Sequence, residues 1–187
     1  MVDATVTAVR PDGIWVQQGT GPYSGLHVTC PSDATKFAGV SVGDVVTIRG
    51  EYGENSALAQ TQLYVCDTFG EVTVTNPGGG TVQVTNVSED IAAEKWESVL
   101  VRVQGPLTVE SVVENDPNFG SYFSVSGASW GSFAGRPWLY DTTSLPGFAQ
   151  GATMTSVVGI VDSLYGDSRQ DLMPRSAADF EGYTPAP

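Results

Sequence analysis

Basic residues are scarce in this chain. Eight Lys and Arg stand against 21 Asp and Glu among 187 residues, which gives a formal net charge of −13. Proteins bind nucleic acids and anionic membranes largely through Lys and Arg, so this charge disfavours both partners. The simplest interpretation of the acidic surface is solubility.

Long apolar runs and metal ligands are also lacking. No stretch approaches the roughly 20 apolar residues that a membrane-spanning helix needs, so membrane insertion is not expected. One His and two Cys are too few for a four-ligand zinc site. The sequence contains no GxSxG, HExxH, P-loop or GxGxxG motif. We therefore expect a non-catalytic protein without a resident metal or cofactor.

One acidic turn qualifies the expectation about metals. Residues 114–118 read Glu-Asn-Asp-Pro-Asn, and oxygen-rich loops of secreted proteins can hold calcium. The turn lacks the spaced carboxylates of an EF-hand, and Asx-Pro turns form without metal. Calcium is kept as an alternative to a plain turn.

Cys30 and Cys66 are the only cysteines, and each lies beside a strand-like run. We favour a disulfide between them, with two buried free thiols as the alternative. The cross-link would add about 4 kcal/mol through the entropy of the unfolded chain. Because disulfides persist in oxidising compartments, we expect an extracellular or cell-surface protein, present as a mature form or fragment since no signal-peptide pattern opens the sequence.

What the sequence does contain favours β-structure. Residues 4–9, 14–17, 26–29, 45–49 and 62–65 form short alternating runs separated by Gly, Pro and Asp, which is typical of a closed or sandwiched antiparallel sheet. Similar runs recur about 100 residues later, at 107–113, 120–125, 138–140 and 151–159. The Asn-Pro-Gly-Gly-Gly segment at 76–80 indicates the boundary, giving domains at 1–76 and 77–187.

A single helix is predicted after this boundary. Ser88 suits an N-cap, and acidic residues follow it where the helix dipole favours them. Ala92, Trp96 and Val99 then share one helical face. The pattern predicts a short helix leading into the second domain, with Trp96 anchored in its core.

Four motifs of the first domain, in order, are GIWVQ, YSGLHV, VGDVVTIRGEY and TQL. Together they resemble the OB-fold module that accompanies secreted bacterial endonucleases and occurs in multidomain surface proteins. The second domain resembles the module that usually follows, although Ser98 stands where that family prefers Gly. The resemblance implies two tandem five-stranded Greek-key barrels attached to other domains, and it supplies no catalytic residues.

OB-folds usually bind ligands on the face of their second and third strands. If aliphatic side chains fill the barrels, Trp15 and Tyr122 point outward, where a ring can stack on a base or a sugar. His27, on a strand beside them, is predicted to be solvated. The alternative is that these rings cover barrel ends or pack between the domains. The candidate ligand-binding residues are Trp15, Gln17, Tyr23, Arg49, Tyr122, Trp138 and Tyr140.

Two functions remain open from the sequence. The first is a spacer or assembly module whose partners are other protein domains or copies of itself. The second is a binding module that recognises single-stranded nucleic acid or a glycan through exposed strand-face aromatics. The acidic surface favours the first, and the fold resemblance favours the second.

Overall fold

The computed structural model describes residues 3–55, 60–163 and 170–187, and these residues form an all-β protein without an α-helix. The strands are β1 (Asp3–Arg10), β2 (Gly13–Gln17), β3 (Gly25–Thr29), β4 (Val45–Arg49), β5 (Glu51–Asn55), β6 (Gln60–Tyr64), β7 (Glu71–Asn76), β8 (Thr85–Val87), β9 (Leu100–Asp116), β10 (Gly120–Ala128), β11 (Gly131–Gly135), β12 (Thr153–Asp162), β13 (Asp171–Met173) and β14 (Phe180–Glu181). Short 3-10 helices lie at Ala34–Phe37, Glu94–Trp96, Thr142–Ser144 and Ala177–Asp179. The expectation of an all-β fold is confirmed.

The second half of the chain forms a closed five-stranded barrel. β9 pairs with β10, β10 with β11, β11 with β13 in parallel, β13 with β12, and β12 again with β9. β9 closes this ring because it is 17 residues long. Its first part pairs with β12 and its last part with β10.

The first half forms a seven-stranded sheet in the order β5-β6-β3-β2-β1-β4-β7. β4 and β5 are consecutive in the chain with only Gly50 between them, yet they lie near opposite ends of this order. The covalent link therefore curls the sheet until its two ends meet. Only glycine fits at this corner, since a Cβ on Gly50 would lie 2.3 Å from the carbonyl oxygen of Tyr64.

Cys30 and Cys66 form a disulfide with a Cα–Cα distance of 4.9 Å. Cys30 follows β3 and Cys66 comes shortly after β6, and these two strands pair in parallel. Parallel pairing places the ends of both strands at the same end of the sheet, which is why residues 36 positions apart can be cross-linked there.

The predicted helix over residues 88–99 is wrong. Only Glu94–Trp96 is helical, as a 3-10 turn, and Ser98 then takes a φ of 61°. The side chain of Asp90 accepts a hydrogen bond from the backbone of Ala92 at 2.9 Å, a local turn that competes with helix formation. Trp96 is nevertheless buried in the core of the second half, as expected.

The prediction for the third strand of the second half is also wrong. Residues 138–140 lie outside the strands, and β11 at Gly131–Gly135 occupies the predicted position beside β10. The glycine-rich sequence of β11 hides the apolar alternation. Gly135 lies under the ring of Phe123, where a Cβ would come within 2.2 Å of the ring. The boundary at residue 76 stays a prediction, with β7 ending there and β8 beginning at Thr85.

Candidate functional site

The two halves meet through an apolar cluster that belongs to both. Trp15 lies at its centre, 1% exposed, against Leu100, Val158 and Ile160 of the second half. The prediction that Trp15 points into solvent is therefore wrong, and for this ring the alternative of packing between the two halves is confirmed. The alternating pattern correctly turned Trp15 away from the interior of its own sheet, but a second layer of protein covers that outer face.

A buried polar network accompanies this cluster. Trp15 Nε1 donates to Asp162 Oδ2 at 2.5 Å, and Gln60 Nε2 donates to the other carboxylate oxygen. Gln62 Nε2 in turn donates to Gln60 Oε1. Asp162 is fully buried and receives a further bond from the backbone of Ser163 at 2.8 Å. A carboxylate of the second half is thus solvated by donors that come mainly from the first half.

His27 belongs to the same layer, and its predicted solvent exposure is wrong. The imidazole stacks on the Trp15 ring with centroids 4.3 Å apart and planes within 3°. Burial lowers the pKa of His27 to about 4, so the ring is neutral at physiological pH. Burial also raises the pKa of Asp162 to about 7, against the opposing effect of the hydrogen bonds it accepts.

Gln17 extends the junction along β2. Its Oε1 accepts from the backbone of Leu100 at 2.9 Å, and its Nε2 donates to the carbonyl of Gln83 at 3.1 Å. Gly25 packs directly on the backbone of Ser98, where a Cβ would lie 2.1 Å from the carbonyl oxygen. These contacts satisfy buried backbone groups of one half with side chains or backbone of the other, so the junction is specific in register.

The titratable groups of the junction are shielded from solvent. Asp162 has no exposed surface and His27 is only 9% exposed, so a substrate has no access to either group. A general base must reach the proton that it abstracts. The geometry of the junction fits fixation of one half on the other.

A second region of interest is an open cavity at one end of the first sheet, here called the barrel mouth. Its volume is about 900 Å³, and it brings together two of the predicted site residues, Tyr23 and Arg49. Tyr23 is 77% exposed, and Tyr52, which also lines the cavity, is 71% exposed. The floor of the cavity is aliphatic: Ala4, Val16, Leu26, Ile48 and Leu63.

Glu97 contributes a carboxylate to the barrel mouth from the second half. Its Oε1 accepts from the backbone of Thr61 at 2.5 Å. Burial raises the pKa of Glu97 to about 7, with the nearby carboxylate of Asp162 acting in the same direction. The backbone of Tyr23 also donates to the carbonyl of Lys95 at 2.7 Å, so residues of both halves hold this rim together.

The remaining predicted site residues are dispersed. Trp138 lies at the junction, with the Arg10 guanidinium 4.1 Å from its ring centroid. Tyr122 lies on β10 of the second half, with the guanidinium carbon of Arg136 6.0 Å from its ring centroid. Tyr140 packs against the second core beside Phe180. The seven residues therefore do not form one binding face.

In the acidic turn at 114–118, a carboxylate oxygen accepts hydrogen bonds from the neighbouring backbone. Asp116 Oδ1 accepts from the backbone of Asn118 at 2.8 Å and of Phe119 at 3.0 Å. In the described part of the chain, no group of three or more His, Cys, Asp or Glu is placed to hold a metal ion. No helix among the described residues is long and apolar enough to cross a bilayer.

Sequence reasoning missed Gln60, Tyr52, Glu97 and Asp162. Asp162 carried one signal, since it directly follows the apolar run at 157–161. A carboxylate at the end of a buried strand needs donors, and these come from residues about 100 to 150 positions away. Nothing in the local sequence indicates such partners.

Comparison of the chain with protein-family models, curated proteins and solved structures found no match in any of the three.

Proposed function

We propose that this chain is a non-catalytic structural and interaction module of a secreted or cell-surface protein, in which two OB-fold barrels form one rigid spacer. The strand order supports the assignment. In the second half the strands follow the ring 1-2-3-5-4-1, with the third and fifth parallel. The first half follows the same ring when β4 and β5 count as one strand interrupted at Gly50, and β3 and β6 are its parallel pair.

One observation carries the functional part of the proposal. OB-folds commonly bind ligands on the outer face of the second and third strands. In the first half this face bears Trp15 and Gln17, and the second half covers both residues. A surface that is already filled by the neighbouring barrel serves attachment rather than ligand recognition.

The disulfide and the charge support the proposed location and partners. A cross-link between Cys30 and Cys66 persists in an oxidising compartment. A net charge of −13 favours solubility and disfavours polyanionic partners. The partners proposed are therefore other domains of a larger protein or further copies of this chain.

Residual dipolar couplings measured by NMR on the full chain test the rigidity. We expect the couplings of residues 3–55, 60–76, 85–163 and 170–187 to fit a single alignment tensor. Trp15→Ala removes the centre of the junction, and the two halves should then require separate tensors. Tyr122→Ala, a truncation of an aromatic side chain on the second barrel away from the junction, is the matched control and should retain the single tensor.

Two results would overturn the proposal. Separate tensors in the unmodified chain would show that the halves move independently, so that the chain is no rigid spacer. Turnover of a nucleic acid, ester or glycoside by the purified chain, abolished by substitution of one carboxylate, would show an enzyme. Saturable binding of a single-stranded oligonucleotide at low salt, lost in Tyr122→Ala, would instead support the strand-face alternative.

A further inference from the structure

The barrel mouth exists because one end of the first barrel lacks a plug. Five-stranded barrels are normally filled by their own side chains. At the far end, Phe37, Val40 and the disulfide close the interior. At the mouth, Leu26, Ile48 and Leu63 remain only partly buried, and they line the open cavity.

The rim of the mouth carries charges of both signs. Arg49 supplies one cation, Glu94 supplies one carboxylate, and Glu97 supplies a carboxyl group that is only partly ionised because its pKa is raised to about 7. Gln18 offers both a donor and an acceptor. Among the described residues, no ion pair to Arg49 is found, and its guanidinium carbon lies 5.6 Å from the centroid of the Phe69 ring. A polyanion would meet the Glu94 carboxylate and the partly ionised Glu97 here, and a cation would meet the guanidinium. The mixed rim selects neither.

The ligand class that matches this rim is uncharged and carries both donors and acceptors. It must also present apolar surface, because the floor is aliphatic and two exposed tyrosine rings stand at the edge. A sugar ring has both properties, since its hydroxyl groups lie around the edge and its C–H groups form two apolar faces. Tyr rings combine an apolar body with a polar tip and suit such a ligand.

The mouth is also fixed in shape before any ligand arrives. The Glu97 carboxylate is held by the backbone of Thr61, and the backbone of Tyr23 is held by Lys95. The volume of about 900 Å³ lies within the range of small-molecule sites. Preformed sites lose little conformational entropy on binding.

We propose that the barrel mouth binds a neutral saccharide, with Tyr23 and Tyr52 contacting the sugar rings and with Arg49 and Glu97 hydrogen-bonding the hydroxyl groups. This site is distinct from the strand faces considered above. It goes beyond the structural role and rests on it in one respect, because Glu97 of the second half reaches the mouth only while the two halves stay in contact.

In the test, the full chain is titrated with a neutral oligosaccharide, and binding is measured by calorimetry and by amide chemical shifts. The five oligosaccharides are cellohexaose, chitohexaose, maltohexaose, xylohexaose and mannohexaose. At least one is expected to bind saturably, with shifts concentrated on the mouth residues. The double variant Tyr23→Asn/Tyr52→Ala should lose about tenfold or more in affinity. Asn is chosen at position 23 because the φ of 60° there suits Asn better than Ala.

Tyr122→Ala is the matched control and should bind as the unmodified chain does. Both substituted mouth tyrosines are largely exposed, so the amide spectrum of the double variant should remain that of the folded chain. The absence of saturable binding to all five saccharides would overturn the proposal. Binding that the double variant retains would also overturn it, as would an apolar dye that fills the mouth and is not displaced by saccharide. None of these results bears on the alignment tensors that test the structural role.

Discussion

The two halves of the chain close their sheets by different means. In the second half, the long strand β9 pairs with both β10 and β12, and hydrogen bonds alone complete the ring. In the first half, the ring is completed through the covalent connection of β4 to β5 at Gly50. Hydrogen-bonded closure leaves no edge inside the barrel wall, and the open cavity is found in the half whose ring is interrupted at Gly50.

The hydrophobic core of the second half is also larger and richer in aromatic side chains than that of the first half. Nineteen buried residues form the described core of the second half, including the aromatic residues Trp96, Phe123, Phe133 and Phe180. The described core of the first half has ten, with Phe37 as its single aromatic side chain. The disulfide lies in the half with the smaller core, and the junction with the second half adds a further constraint to it. Small cores commonly need such additional constraints, which explains why the cross-link is found there.

The largest expected effect is the loss of an aromatic side chain from the better-filled core. Phe123→Ala should reduce the free energy of unfolding by about 3–5 kcal/mol, because the ring packs against Phe148 and Phe180 and lies over Gly135. Urea unfolding followed by circular dichroism measures it. Phe37→Ala, the same truncation in the first half, should cost less because its described core has ten buried residues in place of nineteen. Equal losses at the two positions would contradict the contrast between the cores.

The next effect is that of the cross-link. Cys30→Ser/Cys66→Ser should lower the free energy of unfolding by about 2–4 kcal/mol, because the bond restricts the unfolded chain over 36 positions. The same urea titration with and without dithiothreitol measures the effect. The double variant is the control for the reductant, since dithiothreitol should destabilise only the unmodified chain. If reduction left the unmodified chain unchanged, the first half would not depend on its cross-link.

The smallest effect is a change in pH dependence at the junction. Because the pKa of Asp162 is about 7 in the folded chain, the folded state retains a proton between about pH 4 and 7 that the unfolded chain releases. Stability contributed by Asp162 therefore falls as the pH rises through this interval and is constant above it. Asp162→Asn should weaken this fall, as seen in urea titrations from pH 4 to 8.

His27 changes the stability with pH in the opposite direction to Asp162, and a variant at His27 therefore serves as the control. Its folded pKa of about 4 lies below the ordinary 6.5, so the unfolded chain binds the extra proton and stability rises with pH between these values. His27→Gln should remove that rise and make the fall with pH steeper. Glu97 acts in the same direction as Asp162. If both variants changed the pH dependence in the same direction, this account of the buried network would be wrong.

The local sequence predicted much of the first sheet. The run at 45–49 coincides with β4, and those at 14–17 and 26–29 lie within β2 and β3, because Gly and Pro delimit short apolar alternations there. The prediction failed at β11, where glycines replace the apolar alternation, and at residues 88–99, where a turn forms in place of a helix. Periodicity records which side chains are buried together, and it cannot distinguish a helix from a turn that buries the same side chains.

The candidate sites were less accessible to such reasoning. Tyr23 and Arg49 were predicted and do share the barrel mouth, but Tyr52 and Glu97 were missed. Trp15 and Gln17 were predicted to face outward, and the outward side proved to be the junction. Alternation along a strand separates two faces and contains no information about which face another layer will cover.

By itself, the sequence determined the all-β class, the acidic charge and most of the strands of the first sheet, because these follow from composition and from local alternation of side chains. Tertiary structure alone decided that Trp15 and His27 are buried, that Asp162 accepts hydrogen bonds from Trp15 and Gln60, and that one end of the first sheet encloses an open cavity. These features depend on contacts between residues about 100 or more positions apart, or on how a sheet closes. Burial depends on the packing of the whole chain, and no short segment encodes it.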